Sequence, residues 1–354
     1  MQNQQIQTLK GFRDFLPVDK RKRDYLINKI SQSFQAFGFV PLETPSLEYA
    51  SLLLGKYGEE ADKLVYTFKD QGDRKVALRY DQTVPLARVI YENQNQLTFP
   101  FKRYQIQPVW RGEKPQKGRY REFLQCDIDI LGTNNLLSDA EIILCVLQTA
   151  RNLGFENLKM LVNNRSVFKD LEAKYINTND KLENNGEQAV VNELIEKGME
   201  KEKASTLLSE IQKKEPTEAL QKLFKYLEDS GLEKEKDFEY QPTLARGLDY
   251  YTGTIFELVS NDYTAGSLGG GGRYDKLIGS FFGKDIAAVG FAFGFDRLIE
   301  AMEAKNLFPL KILQPVTQVL VTIFAPELTN KSLETASELR KKQINTELYL
   351  NEDE

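Results

Sequence analysis

The sequence predicts an α+β fold, an antiparallel sheet flanked by helices, with a helical insertion and an incomplete C-terminal α/β unit. Three observations lead there. Two long alternating segments, Phe101 to Arg111 and Glu122 to Leu131, are joined by one polar, basic loop, which makes an antiparallel hairpin. From about Ser166 to Glu239 the composition shifts to Lys, Glu and Asn, with few aromatics. Past Pro315 a strand–helix–strand pattern stands alone, and a single βαβ unit cannot bury both faces of its sheet.

The elements follow in order. Leu26, Ile30 and Phe34 recur at helical spacing within Asp19 to Phe37, and Gly38 ends that run. Phe39 to Pro45 is extended, and its prolines confine it to a sheet edge or an interface. Lys63 to Lys69 and Lys75 to Arg79 form a hairpin around Asp70-Gln71-Gly72-Asp73. Ser138-Asp139-Ala140-Glu141 has the pattern of a capping box and opens a helix that Gly154 closes. Asn157 to Asn163 is a strand. The insertion, residues 165–238, carries apolar positions at helical spacing and reads as a solvated helix pair or as part of the working molecule. Strand and glycine signals return at 244–258 and 264–272, and Ala288 to Ala301 runs from strand into helix. The expected divisions are therefore residues 1–164, 165–238, 239–312 and 316–354, the last a truncated α/β domain.

Composition narrows the chemistry. The 354 residues suggest about two or three domains. Hydrophobic residues at 41% and charged residues at 28% exclude a disordered or fibrous chain. A net charge of −5 excludes a basic nucleic-acid wrapper, though not a local basic patch. Two cysteines give no disulfide framework and suit a reducing compartment. There is no histidine, which removes Ser-His-Asp and Cys-His catalysis and every His-ligated metal site. Catalysis must run on carboxylates, Arg, Lys, Tyr or a loosely held hard cation. Met1 to Lys10 lacks a hydrophobic signal core and no run of about 18 apolar residues occurs, so a cytoplasmic protein with no membrane partner is expected.

Period-2 alternation places Arg103, Gln105, Gln107 and Arg111 on one face of the first hairpin strand, and Phe123, Gln125, Asp127 and Asp129 on one face of the second. Leu124, Cys126, Ile128 and Ile130 form an apolar back. One face of the sheet thus becomes a polar floor of Gln, Asp and Arg, residues that make directed hydrogen bonds, although a solvated sheet face is common. Arg111, Glu113, Lys114, Lys117, Arg119 and Arg121 crowd the loop; by itself this cluster reads equally as a charged turn. Arg246 lies in a neutral stretch with Tyr250 and Tyr251, and Gly269 to Gly272 gives four consecutive glycines, which usually mean close backbone approach to a ligand. Neither a Walker A nor a GxGxxG pattern is present.

Together these segments resemble the class II aminoacyl-tRNA synthetases. Phe101 to Phe123, with Arg111-Gly112-Glu113 and Arg119-Tyr120-Arg121, is similar to motif 2, Gly290 to Leu298 to motif 3, and Asp19 to Phe37 with Pro45 to motif 1. Within that class, Arg246-Gly247-Leu248-Asp249-Tyr250-Tyr251 resembles the signature of histidyl-tRNA synthetases, as do Gly11 to Pro17, Leu78 to Pro85 and Gln125 to Asp129. Family members often carry His in or near motif 2, where this chain has neutral residues such as Gly112 and Leu124.

The resemblance implies activation of L-histidine with ATP and transfer to tRNA-His by a homodimer, with Mg2+ carried on the pyrophosphate, no protein-held metal and no organic cofactor. It implies that Arg111 holds the α-phosphate and the histidine carboxylate, that Arg246 reaches the α-phosphate from the other side, and that Arg297 holds the γ-phosphate near the adenine. Glu113, Arg119, Arg121, Gly271 and Arg273 complete the implied ATP set. Asp81, Gln82, Thr83 and Gln125 would hold histidine, and Asp129, Tyr250 and Tyr251 would enclose and read its imidazole. Val319 onward is similar to the start of an anticodon-binding domain. The competing expectation is a synthetase-like regulatory subunit of ATP phosphoribosyltransferase, which binds histidine without ligating tRNA.

Overall fold

A computed structural model describes residues 6–55, 62–116, 118–169, 175, 187–246, 250–261, 263, 266–283 and 285–351. Gly247, Leu248 and Asp249 of the signature, Lys117 of the basic loop and residues 176–186 of the insertion lie outside the described residues. The chain divides into two units, Met1–Asp14 with Leu26–Leu307, and Phe15–Tyr25 with Phe308–Glu354.

In the first unit, the predicted hairpin is the centre of a mostly antiparallel sheet. Strands β5 (Phe101–Trp110) and β6 (Glu122–Leu131) match their expected spans almost residue for residue. Eight strands run in the order β1-β5-β6-β11-β10-β9-β7-β8, where β1 is Val40–Pro41, β7 Leu158–Asn164, β8 Phe238–Tyr240, β9 Thr254–Ser260, β10 Gly269–Arg273 and β11 Ala288–Gly294. The proline-bearing β1 sits at the edge, parallel to β5, where its missing N–H costs the ladder nothing. A smaller sheet pairs β4 (Lys75–Leu78) with β2 (Leu47–Tyr49) and β3 (Thr67–Lys69), and includes the expected second hairpin.

Helix α1 (Pro17–Ala36) turns the stripe Leu26, Ile30 and Phe34 into the core. Phe34 meets Tyr104 of β5 at 5.7 Å and Phe293 of β11 at 6.2 Å, on the apolar back of the sheet. Helix α2 (Thr83–Asn93) brings Thr83 to the sheet's other side, and α3 (Leu137–Asn152) runs behind it. The capping box does not form as expected. The helix begins at Leu137, the Asn135 side chain accepts from the Leu137 N–H at 3.0 Å, and Ser138 and Asp139 are already helical. Their side chains are engaged by Arg273 instead. Gly154 closes the helix with φ +98°, as its position predicts.

The insertion holds three helices among the described residues: α4 (Glu187–Glu196), α5 (Lys201–Gln212) and α6 (Glu218–Asp229). It is more than a solvated helix pair. Val190, Leu194, Leu207, Leu208 and Ile211 share one apolar core with Leu244, Ala245 and Tyr251. Phe224 of α6 packs on Phe238 of β8 at 5.4 Å. Two further helices, α7 (Asp275–Phe282) and α8 (Phe295–Ala304), follow β10 and β11. Among the described residues of the 244–258 segment, strand begins at Thr254.

The second unit contains the predicted βαβ: β12 (Val319–Val321) pairs in parallel with β13 (Thr346–Leu348), joined by α9 (Thr329–Lys341). Arg21 Nε donates to the Ile312 carbonyl at 3.0 Å, and Tyr25 meets Phe308 edge-on. Among the described residues no helix is long and apolar enough to cross a membrane.

Candidate active site

Register converts two alternating strands into one floor. In β5 and β6, Arg103 lies opposite Asp129, Gln105 opposite Asp127, and Gln107 opposite Gln125, so both polar faces are the same face. Across the next ladder, Asp129, Asp127 and Gln125 face Gly290, Ala292 and Gly294 of β11. The small residues on β11 leave the carboxylates room. A Cβ at Gly290 would sit 1.9 Å from Asp129 Oδ1. Above this floor is a cavity of about 590 Å3, the size of a small-molecule site.

Four arginines line it: Arg111, Arg119, Arg246 and Arg297. Arg111 Nε donates to the Tyr80 carbonyl at 3.1 Å, and its guanidinium lies over the rings of Tyr80 (4.5 Å) and Phe123 (5.2 Å). Arg246 pairs with Glu257 at 3.3 Å and lies over Gly270, where a Cβ would come within 2.4 Å of its guanidinium carbon. Arg297 Nη1 donates to the Ser267 carbonyl at 2.9 Å. A guanidinium has five donors, so each keeps capacity for anionic oxygens. Six carboxylates, Asp81, Glu113, Asp127, Asp129, Glu257 and Asp296, line the same cavity. A site with paired cationic and anionic groups suits a substrate carrying phosphates, a carboxylate and an ammonium group.

The family model for histidyl-tRNA synthetase matches residues 11–298. The chain belongs to the histidyl-tRNA synthetase family. It is 39% identical over 391 residues to the histidine–tRNA ligase of Cytophaga hutchinsonii, with 96% of this chain and 86% of the relative covered. It is 37% identical over 377 residues to that of Treponema denticola, covering 98% and 84%. The crystal structure of histidyl-tRNA synthetase from Nostoc superposes with a TM-score of 0.78 at 29% identity, over 99% of this chain and 87% of that one.

Among the residues that the synthetase resemblance marks, Asp81, Thr83, Arg111, Glu113, Arg119, Gln125, Asp129, Arg246, Tyr250, Tyr251, Gly271 and Arg297 converge on the cavity. Gly271 offers main chain only, since a side chain there would run into the Gly290 carbonyl and the Phe256 ring. Glu113 and Arg119 pair at 3.5 Å. Burial raises the Tyr250 and Tyr251 hydroxyls, so both stay neutral donors.

Three residues are not brought to the cavity. Arg273 is buried and engaged by Asp139, Ser138 Oγ and Asp275, so its charge is spent inside the fold rather than on ATP. Gln82 is buried and its amide bridges the Gln107 and Gln125 carbonyls, tying β5 to β6. Arg121 Nε donates to the Glu113 carbonyl at 3.1 Å, while its backbone N–H reaches Gly11; it shapes the loop.

Other residues join the site beyond the ligand set that the resemblance implies. Arg103 pairs with Asp129 at 2.6 Å, both deeply buried, and the Tyr274 hydroxyl donates to the same carboxylate. Alternation put Arg103 and Asp127 on the polar face, but register was needed to pair them. Burial raises Asp129, against the lowering pull of Arg103. At Asp127 burial pushes the carboxyl up to about 8; Arg103 opposes this, and Asp129 adds to it. Arg13, from the N-terminal segment, stacks on Tyr120 at 3.2 Å and donates to Asp296 at 3.0 Å.

Proposed function

We propose that this cavity activates L-histidine with ATP and then transfers the histidyl group to the 3′ end of tRNA-His. The observation that carries the chemistry is the convergence of Arg111, Arg246 and Arg297 with buried carboxylates in one cavity. In the first step a histidine carboxylate oxygen attacks the α-phosphorus, forming the carboxyl–phosphate bond as the bond to pyrophosphate breaks. In the second, a terminal ribose hydroxyl attacks the activated carbonyl and loses its proton to solvent, the ester bond forming as the carboxyl–phosphate bond breaks and AMP leaves. The first step needs no general base. It needs placement and neutralisation of developing charge on phosphate oxygens, which arginine forks supply. A chain without histidine loses nothing by this route.

Arg111 holds the α-phosphate and the substrate carboxylate, Arg246 approaches the same phosphate from the other side, and Arg297 takes the γ-phosphate. Glu113 and Arg119 meet the nucleotide. Asp81, Thr83 and Gln125 receive the amino acid, and Tyr251 and Asp129 enclose its imidazole. ATP enters with Mg2+ on its phosphates. Mg2+ keeps several of its waters and rides on substrate phosphates, so its place in this proposal is on the nucleotide. The working unit is a symmetric dimer, and residues 316–354 begin the anticodon-reading part.

The test is charging. The purified chain with ATP, Mg2+ and tRNA-His should attach labelled histidine to the tRNA. Histidine binding without formation of either adenylate or charged tRNA would point to the regulatory role instead.

A further inference from the structure

We propose that Asp127 contacts the substrate directly, its Oδ1 receiving an N–H of the histidine α-ammonium. The inference rests on histidine being the amino acid bound here.

Asp127 is 4% exposed and sits in the middle of β6, on the cavity floor between Gln125 and Asp129. Its two oxygens differ. Oδ2 accepts from Gln125 Nε2 at 2.7 Å, while Oδ1 has no hydrogen-bond partner among the described residues. Buried carboxylate oxygens are almost always paired, because an unmet acceptor costs its full desolvation penalty. Asp127 lines a cavity of ligand size, and an unmet oxygen there is the exception that a ligand explains.

The neighbouring carboxylates are already engaged. Asp129 takes the Tyr274 hydroxyl on Oδ1 and Arg103 on Oδ2. Asp81 Oδ1 accepts the Val84 N–H at the start of α2. Arg103 is thus spent on Asp129, and Asp127 beside it lacks a cation of its own. An arriving ammonium supplies that charge and the missing donor together. Burial raises the free carboxyl to about 8, so binding of the ammonium releases the carboxyl proton to solvent and leaves the anion paired with the ligand. Gln125, which holds the other oxygen, fixes the carboxylate plane; Asp127 therefore extends the amino-group set of Asp81, Thr83 and Gln125 toward the imidazole end at Asp129.

The experiment is calorimetric titration of the full chain and of Asp127→Asn with two probes: L-histidine, and imidazole-lactate, in which a hydroxyl replaces the α-amino group. Asparagine keeps the shape and an oxygen for Gln125. The expected result is a loss of at least about tenfold in histidine affinity, the scale of a charge-assisted hydrogen bond, with imidazole-lactate changed by less than about threefold. A smaller loss for histidine overturns the proposal, and so does an equal loss for both probes, which would place the contact on the imidazole. Should Asp127→Asn fail to fold, Asp127→Ser takes its place under the same thresholds. A wild-type chain that binds neither probe would instead fault the histidine reading itself, so the two failures are told apart.

Discussion

Gly270→Ala is the sharpest probe of the arginine arrangement. Gly270 lies on the cavity side of β10, opposite Ala292 and Glu257. A Cβ built there would stand 2.4 Å from both Cζ and Nη1 of Arg246, against 3.4 Å or more for ordinary contact. The guanidinium must therefore retreat by about 1 Å. The backbone loses nothing, because alanine suits a strand better than glycine does. A flexible side chain can give way, so the cost in stability is expected to be under about 1 kcal/mol. Catalysis by placement is far less tolerant: a misplacement of about 1 Å can cost on the order of 100-fold. Histidine-dependent pyrophosphate exchange should fall by about that factor in Gly270→Ala, with the melting temperature nearly unchanged. Exchange within about threefold of wild type, at unchanged stability, would refute both the position of Arg246 and its role.

Three further outcomes are expected. Arg103→Leu leaves Asp129 buried without its cation and should cost about 3–5 kcal/mol in denaturant unfolding; a loss under about 1 kcal/mol would contradict the pairing. Arg273→Ala, which strands buried Asp139, should likewise destabilise the fold while the surviving folded protein keeps its KM for ATP. A KM raised tenfold at unchanged stability would return Arg273 to the ATP set. Asp127 gives a pH dependence, since its carboxyl rises from 3.8 when unfolded to about 8 when folded. The folded state then holds a proton that the unfolded state has released, so stability falls as pH climbs from about 4 to 8 and levels beyond. The groups facing Asp127 are Arg103 on β5, Gln125 and Asp129 on β6, and Asp81, Tyr250 and Tyr251 around the cavity. Ligand-free Asp127→Asn should gain on wild type across that window, with a ceiling of roughly 6 kcal/mol; a gap that stays flat with pH would exclude the titration.

What was legible followed from short-range pattern. Period-2 alternation defined β5, β6 and the polar face, and helical spacing defined the Leu26, Ile30 and Phe34 stripe. What was not legible depended on partners far along the chain. Arg273 looked like an ATP ligand beside four glycines, yet its partner Asp139 lies 134 residues away on α3. The same pairing explains why Ser138 and Asp139 resemble a capping box but do not cap. The glycine run also has two meanings. Gly270 and Gly272 clear space for Arg246 and Tyr251, whereas Gly269 and Gly271 clear it for Phe291 and Phe256 on the sheet's back. Composition marked the insertion and apolar spacing its helices, but only packing shows its core continuing to Ala245 and Tyr251.

The central claim is that arginine placement in this cavity activates histidine. Its most direct measurement is incorporation of labelled pyrophosphate into ATP, run on the wild-type chain and on Arg246→Ala, with L-histidine and with other amino acids. Exchange by the wild type should depend on L-histidine and be almost wholly lost in a folded Arg246→Ala. Exchange supported equally by other amino acids, or retained in Arg246→Ala, would contradict that claim.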